Sequence, residues 1–191
     1  AKSYGVEIRT EASVAQILTK NGEARGVVLE DGTELLSKVV VSSLDPHLSF
    51  RKLLEPGQLP DDFCSDLDRY RLRGSSGKVN LALDSLPEFT SRPGDGLHIR
   101  GDIAVAPSYE YLEKAYDDAK YGAFSKKPYI NIVIPSLTDP TIAPPGKHVM
   151  SCFVQYAPYH LKEGAEDWPN QRDAFGDSVV NTIEELAPGF K

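Results

Sequence analysis

Short runs of alternating apolar and polar residues fill the first part of the chain. Residues 6–9 alternate as a half-buried strand does, and a second run begins at Val14. Asn21-Gly22 and Asp31-Gly32 lie between apolar runs, and both dipeptides accept the positive φ angles of tight hairpin turns. The pattern therefore predicts a β-meander. Residues 39–41 are three consecutive valines, a pattern typical of a strand buried on both faces in a parallel sheet.

Helix signals follow this region. A short helix is expected after Asp45-Pro46, and Pro60-Asp61-Asp62 opens a second helix with proline and acidic residues in its first turn. Further along, Ser108 is placed to cap a helix that ends near residue 121. Residues 167–186 have an amphipathic helical pattern, and their apolar stripe consists of Phe175, Val179, Ile183 and Leu186.

Three further strands are predicted, over residues 78–84, 129–135 and 148–156. In the first of them the odd-numbered positions are apolar, which places Lys78, Asn80 and Ala82 together on the opposite face. Long connections containing helices join the strands outside the meander. This organisation predicts an α+β fold, with a mixed β-sheet covered by helices on one face.

Composition narrows the possible functions. The 191 residues include 21 basic and 28 acidic side chains, for a formal charge of -7, and no basic cluster offers a nucleic-acid surface. No apolar run approaches the length of a transmembrane segment. Cys64 and Cys152 lie far apart without metal-ligand spacing, which favours a reducing compartment and argues against a disulfide.

Sequence motifs for catalysis are missing from the chain. It contains no GxGxxG or P-loop to cradle a phosphate and no GxSxG nucleophile elbow. The acidic pairs fall on predicted helices, where neighbouring residues point in different directions. Tyr156, Tyr159 and Trp168 form an aromatic group for which two interpretations stay open, the lining of an apolar pocket or packing in the core.

Two sets of residues resemble a known family. The runs GVEIR at 5–9, VAQI at 14–17, GVVLEDGT at 26–33 and VVVSS at 39–43 resemble the meander and return strand of phytoene desaturase-like FAD-dependent oxidoreductases, which are grouped with carotenoid isomerases and amine oxidases. A second and more specific set resembles one branch of this family: IPS at 134–136, DPT at 139–141, APPG at 143–146, HV at 148–149, QY at 155–156, PY at 158–159 and APGFK at 187–191.

The resemblance implies a division of the chain into two parts. Residues 1–46 would belong to an FAD-binding domain, and residues 47–191 to a substrate-side domain that is truncated at its C-terminus. Family members also carry a preceding GxGxxG segment and a following flavin-contacting segment. The chain is therefore expected to be an internal fragment that is inactive alone and does not retain FAD. The full-length protein is expected to act on a hydrophobic small molecule by flavin-mediated hydride transfer or isomerisation.

The same resemblance assigns candidate site residues. The backbone of Val14 would address the adenine of FAD, and Ser42 and Ser43 would lie at the strand end that passes near the cofactor. Asn80 and Tyr156 are candidates to face the substrate. A structural interpretation also stays open for four of these residues. It takes Val14 as an ordinary strand residue, Ser42 and Ser43 as a helix cap near Pro46, and Asn80 as a structural residue.

An alternative function from a different class also stays open. It is a non-catalytic binding or interaction module that has the same fold. The expected location is cytoplasmic for a bacterial protein and mitochondrial for a eukaryotic one. The sequence does not define the oligomeric state, the substrate or the electron acceptor.

Overall fold

The computed structural model describes residues 2–72, 74–162, 164 and 167–191. The chain divides after Leu72 into two compact units. Each unit contains helices and one antiparallel sheet, so the predicted α+β class is confirmed. This boundary between the compact units lies after residue 46, at which the family resemblance divides the chain into an FAD-binding part and a substrate-side part. That functional division stays a prediction.

The first unit contains the predicted meander. Strands β1 (Val14–Lys20), β2 (Glu23–Leu29) and β3 (Glu34–Leu36) pair in the order β1-β2-β3, and both pairs are antiparallel. The β1–β2 turn uses Asn21 and Gly22 at φ angles of 55° and 77°. This is the left-handed geometry that the Asn-Gly dipeptide predicts.

The helices of the first unit lie after the meander. A five-residue π-helical turn spans Leu48–Lys52, and α1 spans Asp61–Arg69. The Asp45 carboxylate accepts a hydrogen bond from the Leu48 backbone N–H at 3.0 Å, which satisfies one of the unpaired amides at the start of the turn.

Two predicted strands are wrong. Residues 6–9 and 39–41 have no strand pairing in the described part of the chain. Val39 and Val41 are 69% and 90% exposed, where burial on both faces was expected. Such burial needs a neighbouring layer on each face, and three valines in sequence do not supply those layers.

The second unit is built on a four-stranded sheet. Its strands are β4 (Ser76–Leu83), β5 (Ile103–Val105), β6 (Tyr129–Val133) and β7 (His148–Gln155), in the order β4-β7-β6-β5. Each pair of neighbours is antiparallel. The expected mixed pairing is therefore wrong, because long connections permit either strand direction and do not specify one.

Two helices cover one face of this sheet. Helix α2 (Tyr109–Lys120) begins as predicted, since the Ser108 hydroxyl oxygen accepts from the Tyr111 N–H at 3.1 Å. Helix α3 (Trp168–Leu186) places its stripe against the sheet, with Leu186 at the margin, 37% exposed. The core contains the inward side chains of the strands and of α3: Ile130, Ile132, Met150, Cys152, Val154, Phe175, Val179 and Ile183.

Candidate functional site

The second sheet has a face that lies opposite its helices, which we call the open face. The strand registers align its side chains in rows across β4, β7 and β6. From one end of the strands to the other, the rows are Ser76, Gln155 and Tyr129, then Lys78, Phe153 and Asn131, then Asn80, Ser151 and Val133, and finally Ala82 with Val149.

The open face combines an apolar centre with polar groups. Phe153 and Val133 are 45% and 41% exposed there. The Asn131 amide donates to the Asp102 carboxylate at 2.8 Å and lies 3.4 Å from the Tyr129 hydroxyl oxygen. Next to the row formed by Ala82 and Val149, the Lys147 ammonium nitrogen lies 2.6 Å from a carboxylate oxygen of Asp84 and forms an ion pair with it. A molecule bound on this face would therefore contact aromatic, aliphatic and hydrogen-bonding groups side by side.

The two predicted substrate-facing residues lie on different sides of the sheet. Asn80 is on the open face, directly opposite Ser151 in the β4–β7 pairing, as the alternation of residues 78–84 predicts. Tyr156 lies beside α2, where its ring centroid is 5.1 Å from that of Tyr116. Its backbone N–H donates to the buried Ser125 hydroxyl oxygen at 2.8 Å. A substrate role for either residue stays a prediction.

The other predicted aromatic residues border a cleft of about 410 Å³ on the second unit. Trp168 and Tyr159 line it together with Phe175 and Gly77. Trp168 also packs edge-on against Phe175, with ring centroids 5.5 Å apart, and its indole N–H donates to the Pro158 carbonyl at 3.1 Å. Both interpretations of the aromatic group therefore apply to Trp168, which packs against the core and borders the cleft.

Val14 is the first residue of β1 and pairs with Leu29 of β2. β1 is an edge strand, and its pairing with β2 is irregular between Val14 and Gln16. The outer side of the strand is used at Ile17, whose N–H donates to the Leu53 carbonyl at 2.7 Å. Edge strands expose unpaired N–H and C=O groups, and bulges redirect them. A contact between the Val14 backbone and the adenine of FAD stays a prediction.

Ser42 and Ser43 have different surroundings. The Ser42 hydroxyl is 2.7 Å from the Ser49 hydroxyl and accepts from the Leu44 N–H at 3.2 Å. It also lines a cleft of about 350 Å³. Ser43 is exposed. The side chain that caps the following turn is that of Asp45, so the capping interpretation of the serines is not supported, and their proximity to a cofactor stays a prediction.

Sequence reasoning missed most of the open face. Lys78 shares its alternation with Asn80 and could have been selected by the same signal. Phe153 and Asn131 could not, because β6 and β7 are apolar at most positions and their patterns do not distinguish the two faces. Their grouping depends on the strand registers, which place Phe153 between Lys78 and Asn131.

One of the two cysteines, Cys152, is buried in the second unit. Burial raises the pKa of the Cys152 thiol to about 12, which keeps it protonated and unreactive. No cluster of His, Cys, Asp and Glu side chains with the geometry of a metal site is found in the described ranges. Among the same residues, no helix combines the length and apolar character needed to cross a membrane.

Comparison with known proteins gives whole-chain similarities, although no family model matches. Pyridine nucleotide-disulfide oxidoreductase domain-containing protein 2 of Mus musculus is 39% identical over 199 residues, covering 100% of this chain and 34% of that protein. A phytoene desaturase (neurosporene-forming) of Cereibacter sphaeroides is 30% identical over 191 residues, covering 99% and 35%. The chloroplastic prolycopene isomerase of Daucus carota is 25% identical, covering 98% and 28%.

One solved structure has a similar fold. An oxidoreductase from Methanosarcina mazei matches with a TM-score of 0.56 and 20% identity, over 100% of this chain and 37% of that one. The chain spans about a third of the length of the curated relatives that it matches. The resemblance to the phytoene desaturase-like oxidoreductases, which the sequence motifs predict, is thereby confirmed along the whole length of the chain.

Proposed function

We propose that this chain forms part of an FAD-dependent oxidoreductase that acts on a hydrophobic small molecule, by hydride transfer or isomerisation at the flavin. The observation that carries the proposal is the similarity, along nearly the whole of this chain and about a third of theirs, to a phytoene desaturase and a prolycopene isomerase. The names of these relatives give phytoene and prolycopene, both apolar molecules, as what they act on. The exposed apolar centre of the open face, at Phe153 and Val133, is consistent with such a ligand.

The two units would have different roles. FAD, when bound, supplies the hydride chemistry, while the protein orients the substrate and excludes water. In the first unit the backbone of Val14 would address the adenine, and Ser42 and Ser43 would lie near the cofactor. In the second unit Phe153 and Val133 would contact the apolar part of the substrate, and Asn80 would lie beside them on the same face.

The decisive experiment is purification of the protein encoded by the complete reading frame that contains this chain. We expect a yellow protein that releases FAD on denaturation, identified by its absorbance spectrum. Reduction of the bound flavin by a hydrophobic substrate would then establish the oxidoreductase class. A colourless protein that releases no flavin would favour the alternative, a binding module without catalysis.

A second measurement concerns the 191-residue chain itself. A dinucleotide is normally held by its pyrophosphate at a helix N-terminus, through glycines of a GxGxxG loop, and this sequence contains no such loop. We therefore expect little FAD affinity in a fluorescence-quenching titration. Binding in the sub-micromolar range would contradict the assignment of the phosphate contacts to residues outside this chain.

A further inference from the structure

The second sheet ends on one side in a long strand without a neighbour. β4 is the last strand on that side, and the backbone groups on its outer side form no backbone hydrogen bond with another described residue. β4 spans 8 residues, whereas β5 at the opposite edge spans 3. An unpaired edge is a template for a further strand, and natural sheets usually shorten, bend or cover such edges.

β4 lacks the bulges and prolines that commonly protect an edge. Its pairing with β7 is regular from end to end, without the register shifts of the β1–β2 pair, and no proline lies between residues 76 and 84. On the side that faces the helices, Val79, Leu81 and Leu83 are only partly buried. A strand added to this edge would cover these side chains and pair the free backbone groups.

The sequence of β4 is complementary to itself when two copies run in opposite directions. The seven residues that end at Asp84 read KVNLALD, with a cation at one end, an anion at the other and apolar residues at alternate positions. In an antiparallel pairing that sets Leu81 opposite Leu81, Lys78 lies opposite Asp84 at both ends. Val79 then lies opposite Leu83. Apolar pairs and opposite charges directly across an antiparallel ladder are stabilising.

Other registers lose these matches. A slip of one residue sets apolar side chains opposite polar ones, because side chains alternate between the two faces of a strand. A slip of two residues, which sets Asn80 opposite Asn80, keeps the faces but places Lys78 opposite Ala82, so the charge gains no partner. The register centred on Leu81 therefore combines covered apolar side chains with paired charges.

Asp84 is available for this contact. Its carboxylate pairs with Lys147 at 2.6 Å, but the Asp84 side chain is 93% exposed. A carboxylate has two oxygens and accepts more than one hydrogen bond, so Asp84 can lie between Lys147 of its own copy and Lys78 of the second copy. Lys78 is itself exposed and lies on the same face of β4 as Asp84.

We propose that the edge of β4 binds a second copy of this chain, through antiparallel pairing of the two β4 strands centred on Leu81. The two sheets would then form one continuous sheet, with both open faces on the same side. This inference is independent of the proposed function, because it concerns the edge of the sheet and no ligand.

The test uses two charge variants of the 191-residue chain and measures association by sedimentation equilibrium. Lys78→Glu places an acid opposite Asp84 of the second copy, and Asp84→Lys places a cation opposite Lys78. Each variant alone should dimerise roughly tenfold more weakly than the unmodified chain, because two attractive cross-strand pairs become repulsive. A mixture of the two variants should associate as tightly as the unmodified chain, because both pairs in the mixed dimer join opposite charges.

A matched control separates this pairing from a general effect of net charge. Lys126 is an exposed lysine on the loop after α2, and Lys126→Glu changes the net charge by the same amount as Lys78→Glu. It should leave the dimerisation constant unchanged. Hydrogen exchange then locates the contact: the outer amides of β4 should exchange more slowly in the dimer than in the dilute monomer, and those of β5 should exchange at the same rate.

Three results would overturn the proposal. The first is an unmodified chain that stays monomeric at millimolar concentration. The second is a mixture of Lys78→Glu and Asp84→Lys that associates no more tightly than either variant alone. The third is a protein of the complete reading frame that is monomeric and yet protects the outer amides of β4, because a segment of the same polypeptide would then occupy the edge.

Discussion

In the second unit the side chains of Ile130, Ile132, Met150 and Val154 are wholly buried, with 0% exposure. In the first unit Leu29 and Leu67, 7% and 6% exposed, are the most deeply buried apolar side chains among the described residues. The difference follows from layering: a sheet covered by helices encloses a core, whereas a three-stranded meander with short helical segments encloses little. Similar local sequence patterns in the two units therefore lead to very different burial of their apolar side chains.

The first unit also leaves many apolar side chains in contact with solvent. Large apolar residues more than a third exposed there are Tyr4, Val6, Ile8, Leu36, Val39, Val41, Leu44, Phe50, Phe63, Tyr70 and Leu72. Segments with few buried apolar contacts open at low free energy. We therefore expect the first unit to open at a lower free energy than the second, and substitutions that disrupt packing to have their largest effects in the second.

The largest effect is expected from Ile132→Ala in β6. Ile132 is fully buried among the strands and α3, so the substitution should lower the free energy of unfolding by about 4 kcal/mol through lost burial and an unfilled cavity. Urea denaturation followed by Trp168 fluorescence measures this directly, because the single tryptophan of the chain lies in the second unit.

Two controls determine what this result means. Val133→Ala, at the next position on the open face and 41% exposed, should change the same free energy by less than about 1 kcal/mol. Leu29→Ala, measured by circular dichroism of the first unit's transition, should have a smaller effect than Ile132→Ala. Equal effects of Ile132→Ala and Leu29→Ala would remove the difference between the two cores.

The next largest effect is expected from Gly26→Ala in the first unit. Gly26 has a φ angle of +145°, and an added Cβ would come within 2.1 Å of the Leu35 carbonyl oxygen. That atom belongs to the backbone of the paired strand β3, so the clash cannot be relieved by a side-chain movement. We expect a loss of about 2–3 kcal/mol from backbone strain and overpacking, seen as an earlier transition of the first unit.

A glycine in the second unit provides the matched comparison. Gly176 lies within α3, and an added Cβ there would meet nothing within 4 Å. Gly176→Ala should therefore stabilise the second unit by up to about 1 kcal/mol, because alanine favours the helical backbone. A destabilising Gly176→Ala would indicate that α3 needs this glycine for a contact outside the described residues.

Local signals in the sequence predicted the elements that depend on local chemistry. Asn21-Gly22 forms its turn, Ser108 caps α2, and Pro60 precedes α1, because each of these residues acts on backbone groups within a few positions of itself. The valines at 39–41 show the limit of such signals. Their apolar character is compatible with a buried strand, but burial depends on layers contributed by distant parts of a chain.

The candidate site was predictable only where one strand contained the signal. Alternation placed Asn80 correctly on the face opposite the core, whereas Phe153 and Asn131 join it through strand pairing across long sequence separations. Tyr156 was selected as part of an aromatic group, but its position is determined by Ser125, whose hydroxyl accepts its N–H from across the fold. Contacts of that kind leave no periodicity in the sequence.

The smallest predicted effect concerns the end of α3, where the chain turns back on itself. The Glu184 carboxylate accepts from the backbone N–H groups of Gly189 and Lys191 at 2.9 Å and 3.0 Å. These hydrogen bonds, with that of Gly189 as the largest cause, hold the pKa of Glu184 below its ordinary value of 4.5. The ionised Glu184 carboxylate thus fixes the position of residues 187–191, which form the last of the more specific family motifs.

A carboxyl group with a lowered pKa in the folded state contributes stability above its unfolded pKa and loses that contribution as the pH falls through its folded pKa. Glu184→Gln should therefore lower the melting temperature of the second unit modestly at neutral pH, and the difference from the unmodified chain should vanish in acid, below pH 4.5. The neighbouring Glu185→Gln removes an exposed ion pair with Lys127 and should have a smaller effect. A difference between Glu184→Gln and the unmodified chain that persists unchanged into acid would mean that packing of the carboxyl group, and not its charge, holds the end of the helix.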